Sequence, residues 1–237
     1  MPRVARVVIP GCPHHITQRG NNRQDVFFVD DDRRAYLEFL RERCEAYGVG
    51  VLGYCLMANH VHVIAAPNND DALAKAIGRT HFAYTQYVNR LHGRSGHLWQ
   101  NRFYSCPLDE AHLWAAMAYV ERNPVRARLV RAPWRYPWSS AAAHVGGRAD
   151  PTGLLELGMW SREWTPERWR TALRQSADVG FVGRLRRSTH TGRPLATDSW
   201  LSKLERKLGR RLRPLPVGRP PKRQKGDGRR TRARGNR

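Results

Sequence analysis

The stretch Tyr54-Cys-Leu-Met-Ala-Asn-His-Val-His-Val-Ile-Ala65 decides both the fold and the candidate chemistry of this chain. It is apolar enough to predict a buried β-strand, yet it carries two histidines separated by one valine. Successive side chains of a strand point to opposite faces, so His60 and His62 share one face while Val61 points to the other. Two neutral imidazoles in this arrangement, roughly 6–7 Å apart, suit one divalent metal ion. The alternative is a pair of satisfied polar residues near the end of a sheet.

The segments on both sides of this stretch predict an α+β domain. Aspartates at the start, apolar residues at helical spacing and a closing glycine indicate a helix over residues 30–48. A tight turn at Ala58-Asn59 joins two strands. In order, the predicted elements are strand 14–19, helix 30–48, strands at about 50–57 and 60–66, helix 70–90, a fourth strand within 93–107, and helix 110–122. This order is typical of a ferredoxin-like or RRM-like antiparallel sheet with helices on one face.

Composition divides the chain into three regions. Residues 1–145 contain the α+β domain, and residues 146–183, which include three tryptophans, predict a small helical extension. Residues 184–237 form a basic tail in which 19 Lys and Arg accompany 3 acidic residues, so +16 of the net charge of +22 lies there. One helix is expected at 198–212, and the last part of the tail is expected to be disordered without a partner.

The tail also contains two short Gly-Arg-Pro sequences, Gly192-Arg193-Pro194 and Gly218-Arg219-Pro220. An extended core of this kind can place its arginine in a narrow A·T-rich minor groove. Non-specific phosphate binding by an arginine-rich tail is the alternative.

The net charge of +22 makes a polyanion the first partner to consider. A membrane surface is the competing polyanion, but no amphipathic segment with a dedicated apolar face adjoins the basic runs. We expect no signal peptide and no membrane span, because no apolar run is long enough. The four cysteines show no C-x-x-C pair, which is typical of reduced thiols in a cytosolic protein. We therefore expect a cytoplasmic, nucleoid-associated protein.

Two loops are candidates for contacts with single-stranded DNA. The first contains Arg19, Asn21, Asn22 and Arg23. Its side-chain amides can hydrogen-bond to base edges and its arginines can bind phosphate. The alternative is a polar loop that only connects two elements. In the second, Trp99 and Arg102 lie within 97–104, where aromatic side chains suit stacking on unpaired bases and arginine suits phosphate. The alternative for the second loop is a packed strand with one exposed cation.

Tyr119 is the tyrosine with the most suggestive surroundings. On its predicted helix it shares a face with small residues and with Asn123, whose amide oxygen suits a metal ion or a positioning contact. A tyrosine hydroxyl is a weak nucleophile, but a metal ion that polarises a phosphate makes its attack feasible. The helix C-terminus disfavours an anion, so nearby arginines such as Arg122 and Arg126 have to offset it. The alternative is a half-buried aromatic residue of a packed helix.

With these features in place, the chain resembles the REP-associated tyrosine transposases, a bacterial branch of the HUH single-strand DNA transposases. The segments that carry the resemblance follow the same order along nearly the whole chain: Pro13-His-His-Ile-Thr-Gln-Arg-Gly-Asn-Asn-Arg23, Tyr54-Cys-Leu-Met-Ala-Asn-His-Val-His62, Gly96-His-Leu-Trp-Gln-Asn-Arg-Phe-Tyr104, Ala118-Tyr-Val-Glu-Arg-Asn-Pro-Val-Arg-Ala127, Thr191-Gly-Arg-Pro194 and Leu208-Gly-Arg-Arg-Leu-Arg213. The short H-x-H alone is not specific.

The resemblance implies a metal-dependent tyrosine nuclease. In this family two histidines bind Mg²⁺ or Mn²⁺, which implies His60 and His62 here. The nucleophile is a tyrosine on the helix after the last strand, here Tyr119, and a polar residue one turn later, here Asn123, completes the metal site. Attack on single-stranded DNA forms a 5′-phosphotyrosine and frees a 3′-hydroxyl that can later rejoin.

The resemblance also implies the substrate, a palindromic repeat hairpin with a short guide sequence at its foot. We expect residues 19–23 to read the guide and the basic tail to contact the hairpin. The leading hypothesis is therefore a site-specific single-stranded DNA endonuclease and strand transferase, monomeric or dimeric. The alternatives are a non-catalytic DNA or RNA hairpin-binding protein and a zinc hydrolase, for which no further His or Asp follows the H-x-H at hydrolase spacing.

Overall fold

One antiparallel sheet of four strands, in the order β2-β3-β1-β4, forms the centre of the fold. The computed structural model describes residues 6–146, 150 and 152–214. The strands are β1 His14–Arg19, β2 Val49–Met57, β3 His60–Pro67 and β4 Tyr104–Pro107. The helices are α1 Asp30–Tyr47, α2 Ala72–Leu91, α3 Glu110–Glu121, α4 Asn123–Arg126, α5 Ala141–His144, α6 Gly158–Glu163, α7 Pro166–Arg174, α8 Val179–Thr191 and α9 Asp198–Leu208. The α+β class and the predicted order of elements are confirmed.

The local signals that predicted α1 act as expected. The carboxylate of Asp32 accepts hydrogen bonds from the backbone N–H groups of Phe28 and Val29, which satisfies donors at the start of the helix. At the other end Gly48 adopts a left-handed conformation with φ +65°. Glycine takes that conformation without a steric penalty, so α1 ends there and β2 begins at once.

The first face of the sheet packs on α1 and α2. Its apolar strand residues include Ile16, Val61 and Val63, which join one core cluster with Tyr36 of α1 and Tyr84 of α2. All five side chains are buried. Burial of apolar surface stabilises a folded chain by about 25 cal/mol per Å², so this cluster is a main source of the stability of the domain.

The second face of the sheet is also covered, so the expectation of helices on one face holds only for α1 and α2. Its sheet residues, such as Ile64 and Cys106, join a second core cluster with Met117 of α3, Trp169 of α7 and Leu185 of α8. The reason is the length of the chain beyond the ferredoxin-like unit, which supplies apolar helices that bury this face. One part of the second face stays open, where β1 and β3 carry polar side chains.

Strand register brings those polar side chains together. β1 and β3 pair antiparallel with Thr17 opposite His62 and Arg19 opposite His60. Residues directly opposite each other point to the same face, so both histidines lie on the second face with β1 residues beside them. Val61, one position away, is fully buried on the first face.

The position of α3 is fixed by two features. Gly53 of β2 lies under Met117, and any larger side chain there would collide with the Met117 sulfur. The buried carboxylate of Glu121 accepts hydrogen bonds from Ser140 Oγ at 2.6 Å and Trp169 Nε1 at 2.8 Å, and it also contacts His144 Nδ1. These contacts tie the C-terminal turn of α3 to α5 and α7.

The C-terminal part of the chain differs from the three-region prediction. Helix α8 runs across the expected boundary between residues 183 and 184, and it packs against β4 and β1. Apolar residues at helical spacing, such as Phe181 and Leu185, explain this, because they join the second core cluster. Helix α9 ends at Leu208 instead of 212, because Gly209 adopts a left-handed conformation with φ +61°. Among the described helices, none has the length and hydropathy needed to cross a bilayer.

Candidate active site

A cavity of about 700 Å³ opens on the second face of the sheet, where His60 and His62 lie. Its walls come from β1, β3, α3, α4 and α8. Four arginines line it, and none of its lining residues is an aspartate or a glutamate: Arg19, Arg23, Arg126 and Arg186. A concave surface with cations and no carboxylate favours an anionic ligand such as a phosphodiester.

His60 and His62 lie next to each other in this cavity, with ring centroids 5.1 Å apart. The Nδ1 atom of His60 is 2.7 Å from Oδ1 of Asn59, an amide oxygen that can only accept a hydrogen bond. His60 therefore carries its hydrogen on Nδ1, and its Nε2 keeps a free lone pair. The Nδ1 atom of His62 is 2.9 Å from Nε2 of His15, which is buried in the cavity wall.

Both histidines are neutral at physiological pH. Burial is the main reason that the pKa of His60 falls to about 4, with smaller contributions from the nearby arginines, led by Arg19. Burial is also the main reason that the pKa of His62 lies well below its usual value, with smaller contributions from His15 and His60. A neutral imidazole is the form that binds a metal ion.

Tyr119 lines the same cavity and is 3% exposed. Its ring lies edge-on to His62 at a centroid distance of 5.7 Å and to His15 at 6.1 Å. Nε of Arg186 donates a hydrogen bond to the Tyr119 hydroxyl at 3.2 Å, and the Arg126 guanidinium lies 4.9 Å from the ring centroid. The phenol is therefore placed beside the histidines, with two cations that offset the unfavourable end of the α3 dipole.

Asn123 lies one turn beyond Tyr119, where α3 meets α4, and is 6% exposed. Its Nδ2 donates hydrogen bonds to the carbonyl oxygens of Tyr119 and Val120, both at 3.1 Å. Its Oδ1 accepts a hydrogen bond from Arg126 at 3.0 Å. Asn123 thus caps the end of α3 and holds Arg126, and its oxygen keeps a second lone pair.

The other residues predicted to contact DNA fall on two neighbouring cavities. Arg19 and Arg23 line the cavity with the histidines. Asn21 and Arg102 line a second cavity of about 890 Å³ beside α2, which shares two wall residues, Gln18 and Gln100, with the first. Asn22 is an exposed residue of the turn between them.

Trp99 is not available to stack on a base as predicted. It is 8% exposed, its ring lies 4.5 Å from that of His81, and its Nε1 donates to the His81 carbonyl oxygen at 3.2 Å. Its large apolar ring joins the first core cluster, so the packed-strand alternative fits this residue.

Arg122 and Arg193, which were also predicted to contact DNA, do not line the cavity. Nη1 of Arg193 donates to the carbonyl oxygen of Leu212 at 2.6 Å, so in the structure this side chain holds the segment after α9 and does not extend toward a groove. Arg122 is a half-buried residue at the end of α3, and burial lowers its pKa. Arg219 lies outside the described residues.

Three residues of the site were missed in the sequence: His15, Arg186 and Thr189. His15 has a readable signal, because it alternates with Thr17 and Arg19 on β1 and so shares the face of the H-x-H histidines. Arg186 and Thr189 lie on α8, and the charge of this region suggested a tail. Among the described residues, no group of three or more His, Cys, Asp or Glu is arranged to hold a metal ion.

Residues 9–123 match the model of a protein family described as IS200-like transposase. Just under half of the chain is thus similar to the IS200-like transposases. The matched residues include His60, His62, Tyr119 and Asn123, and they end before α8. The resemblance seen in the motifs is thus confirmed.

One solved structure shows the same fold, and a second is similar over a shorter part of the chain. One described as a REP-associated tyrosine transposase bound to a REP hairpin has a TM-score of 0.50 and 16% sequence identity, covering 66% of this chain and 98% of that chain. Another, described as a proposed transposase from Deinococcus radiodurans R1, has a TM-score of 0.37 and 17% identity, covering 51% of this chain and 97% of that chain. No curated protein matches the chain.

Proposed function

We propose that the chain is a metal-dependent, site-specific single-stranded DNA endonuclease and strand transferase that acts on palindromic repeat hairpins. The observation that carries this proposal is the meeting of the Tyr119 phenol with His60 and His62 in one cationic cavity. A phenol is a potential nucleophile, neutral imidazoles are metal ligands, and arginines bind phosphate. The match of residues 9–123 to a transposase family model supports the same function.

The proposed reaction is a transesterification at one DNA phosphate. The Tyr119 oxygen attacks the phosphorus, and the bond from phosphorus to the 3′ oxygen of the preceding nucleotide breaks. The phenol loses one proton and the departing 3′ oxygen gains one, so the products are a 5′-phosphotyrosine and a free 3′-hydroxyl. A 3′-hydroxyl that attacks the phosphotyrosine reverses the chemistry and joins two strands without an external energy source.

The arginines of the cavity supply the electrostatic part of this reaction. Arg186 donates to the oxygen that attacks, so it stabilises negative charge there as the proton leaves. The Arg126 guanidinium lies 4.9 Å from the centroid of the same ring, and Arg19 and Arg23 also line the cavity. Together they are placed to bind the phosphate and to hold it in line with the phenol.

The residues present fit Mg²⁺ or Mn²⁺, the metals of the proposal. His60 and His62 would hold the ion, with the Asn123 amide oxygen as a third ligand, and two or three protein ligands leave positions for phosphate oxygens and water. When bound, the ion would polarise the phosphate toward attack. Because no carboxylate lines the cavity, the DNA phosphate itself would balance the charge of the ion.

The substrate part of the proposal draws on the similar structure, which is described as bound to a REP hairpin. In this chain the two cavities share Gln18 and Gln100, and their linings include Arg23 in the first and Arg102 in the second. We propose that the unpaired strand at the foot of the hairpin lies along these two cavities, with the basic C-terminal region against the duplex.

The test is a denaturing gel of the protein incubated with labelled single-stranded repeats from its own genome. A covalent protein–DNA band is expected with Mn²⁺ and not with EDTA, and Tyr119→Phe should abolish it. Tyr104→Phe is the matched control, because Tyr104 lines the same cavity. An adduct that persists in Tyr119→Phe would reject Tyr119 as the nucleophile.

A non-catalytic hairpin-binding protein is the second candidate, favoured by the bond between Asn123 and Arg126, which places a positive charge beside the oxygen expected as the third metal ligand. It predicts tight hairpin binding and no adduct with any divalent metal. The same gel therefore separates the two functions.

A further inference from the structure

A chain of three hydrogen-bonding groups runs behind His62, away from the cavity. Nδ1 of His62 lies 2.9 Å from Nε2 of His15, and Nδ1 of His15 lies 2.7 Å from Oγ1 of Thr189. Oγ1 of Thr189 lies 2.8 Å from the carbonyl oxygen of Leu185, one turn earlier on α8. The rings of His15 and His62 stack at a centroid distance of 5.2 Å.

The direction of every bond follows from the one hydrogen on the Thr189 hydroxyl. The Leu185 carbonyl can only accept, so at 2.8 Å the hydroxyl hydrogen must point to it. The Thr189 oxygen then faces His15 with a lone pair, and Nδ1 of His15 must carry a hydrogen to bond with it. If the hydroxyl pointed to His15 instead, two lone pairs would oppose each other at Thr189 and Leu185.

The position of the hydrogen on His15 also determines the position of the hydrogen on His62. His15 is 1% exposed and has no carboxylate beside it, so it is a neutral ring with one hydrogen, already placed on Nδ1. Its Nε2 is therefore an acceptor, and Nδ1 of His62 must be the donor. The free lone pair of His62 is then on Nε2, the second ring nitrogen, the same atom that is free on His60.

We infer that Thr189 and His15 are positioning residues that fix the tautomer and the ring orientation of His62, so that its Nε2 is a ready metal ligand. This inference rests on the proposed function. Metal-binding histidines usually donate to a carboxylate or carbonyl that sets their tautomer. Here a second histidine and a threonine take that place, and helix α8, which lies beyond residues 9–123, becomes part of the active site.

The experiment reads the tautomer directly by ¹⁵N NMR of the histidine side chains in the full chain without metal at pH 7. In the wild type, Nε2 of His62 should show the chemical shift of a nitrogen without hydrogen. Thr189→Val removes the hydroxyl at nearly constant volume, so His15 loses its acceptor, and the hydrogen of His62 should move to Nε2. Thr189→Ser should keep the wild-type pattern, as should Thr191→Val, which removes an exposed hydroxyl on the same helix.

Mn²⁺ titration of the same variants gives the functional reading. Thr189→Val should bind Mn²⁺ about 10- to 100-fold more weakly than wild type, whereas Thr189→Ser and Thr191→Val should bind it normally. A hydrogen on Nε2 of His62 in the wild type would overturn the inference, as would unchanged Mn²⁺ affinity in a folded Thr189→Val. If the tautomers are as expected but the wild type binds no Mn²⁺, with or without DNA, the proposed function fails and the positioning role stands.

Discussion

The two faces of strand β3 differ in what their side chains do. On one face Val61, Val63 and Ala65 are buried in an apolar core against α1 and α2. On the other, His60 and His62 open into a cationic cavity beside Tyr119. The same backbone thus carries a packing face and a chemical face, separated by one residue. The period of two that makes a strand amphipathic also places two histidines side by side.

This difference has a thermodynamic consequence. Burial of valines stabilises the fold, whereas burial of histidines that must stay neutral costs stability wherever the unfolded chain would be protonated. Substitutions on the two faces should therefore have separable effects, one on catalysis and the other on the free energy of unfolding.

The largest expected effect comes from neighbouring substitutions on the two faces. His62→Gln replaces a proposed metal ligand by a weaker one and should lower the rate of covalent adduct formation by roughly 10³-fold, with little change in stability. Val63→Ala should do the reverse: it should lower the free energy of unfolding by about 2 kcal/mol and leave the adduct rate within about twofold. Single-turnover gels and urea unfolding measure the two quantities.

If each of the two variants lost both activity and stability, the two faces of β3 would not have separate roles. A loss of activity in Val63→Ala at temperatures where it is folded would mean that the packing face also takes part in the chemistry. Normal activity in His62→Gln would show that His62 is not a metal ligand needed for adduct formation.

The next effect is a dependence of stability on pH. Burial lowers the pKa of His81, on the packing side, to about 3, so the folded state stays unprotonated between pH 6.5 and about 3 while the unfolded state takes up a proton. The free energy of unfolding should therefore fall as pH falls through this window, by up to about 1.4 kcal/mol per pH unit for each such histidine.

His81→Gln keeps an acceptor for the Tyr36 hydroxyl, which lies 3.0 Å from His81 Nε2, but cannot titrate. The slope of unfolding free energy against pH should become smaller by about 1.4 kcal/mol per unit, measured by urea unfolding between pH 4.5 and 6. An unchanged slope would show that His81 takes up its proton in the folded state.

The smallest effect concerns the exposed cations of the chemical face. Arg19→Gln removes one proposed phosphate contact and should reduce the slope of log affinity against log salt by about 0.7 for single-stranded DNA. Arg162→Gln on α6 is the control, because Arg162 is exposed and does not line the cavity. Fluorescence anisotropy at several salt concentrations gives the slopes, and equal slopes for the two variants would exclude a phosphate contact at Arg19.

Much of the ferredoxin-like unit was predictable because its signals are local. Acidic residues mark the start of α1 and Gly48 marks its end. A two-residue turn joins β2 to β3, and the alternation of side chains in β3 predicts that both histidines lie on one face. The burial of Trp99 was not predictable from local pattern, because an aromatic residue beside arginines has the same sequence in a core and on a binding surface.

The site was predictable only in part for a similar reason. His60, His62 and Tyr119 meet in one cavity as expected, but Arg186 and Thr189 reach it from a helix that follows Tyr119 by more than 60 residues in the sequence. Contacts of this kind depend on how the C-terminal helices close over the second face. The arginines of α8 lie between apolar residues at helical spacing. Because the net charge of the segment is high, it was predicted as a tail.

We expect Tyr119 to be the residue that becomes covalently attached to DNA. Mass spectrometry of the adduct after digestion with trypsin and a nuclease tests it most directly. We predict one modified peptide, in which Tyr119 carries a 5′-phosphonucleotide. Modification of Tyr104 or of any other residue, with Tyr119 unmodified, would contradict the account.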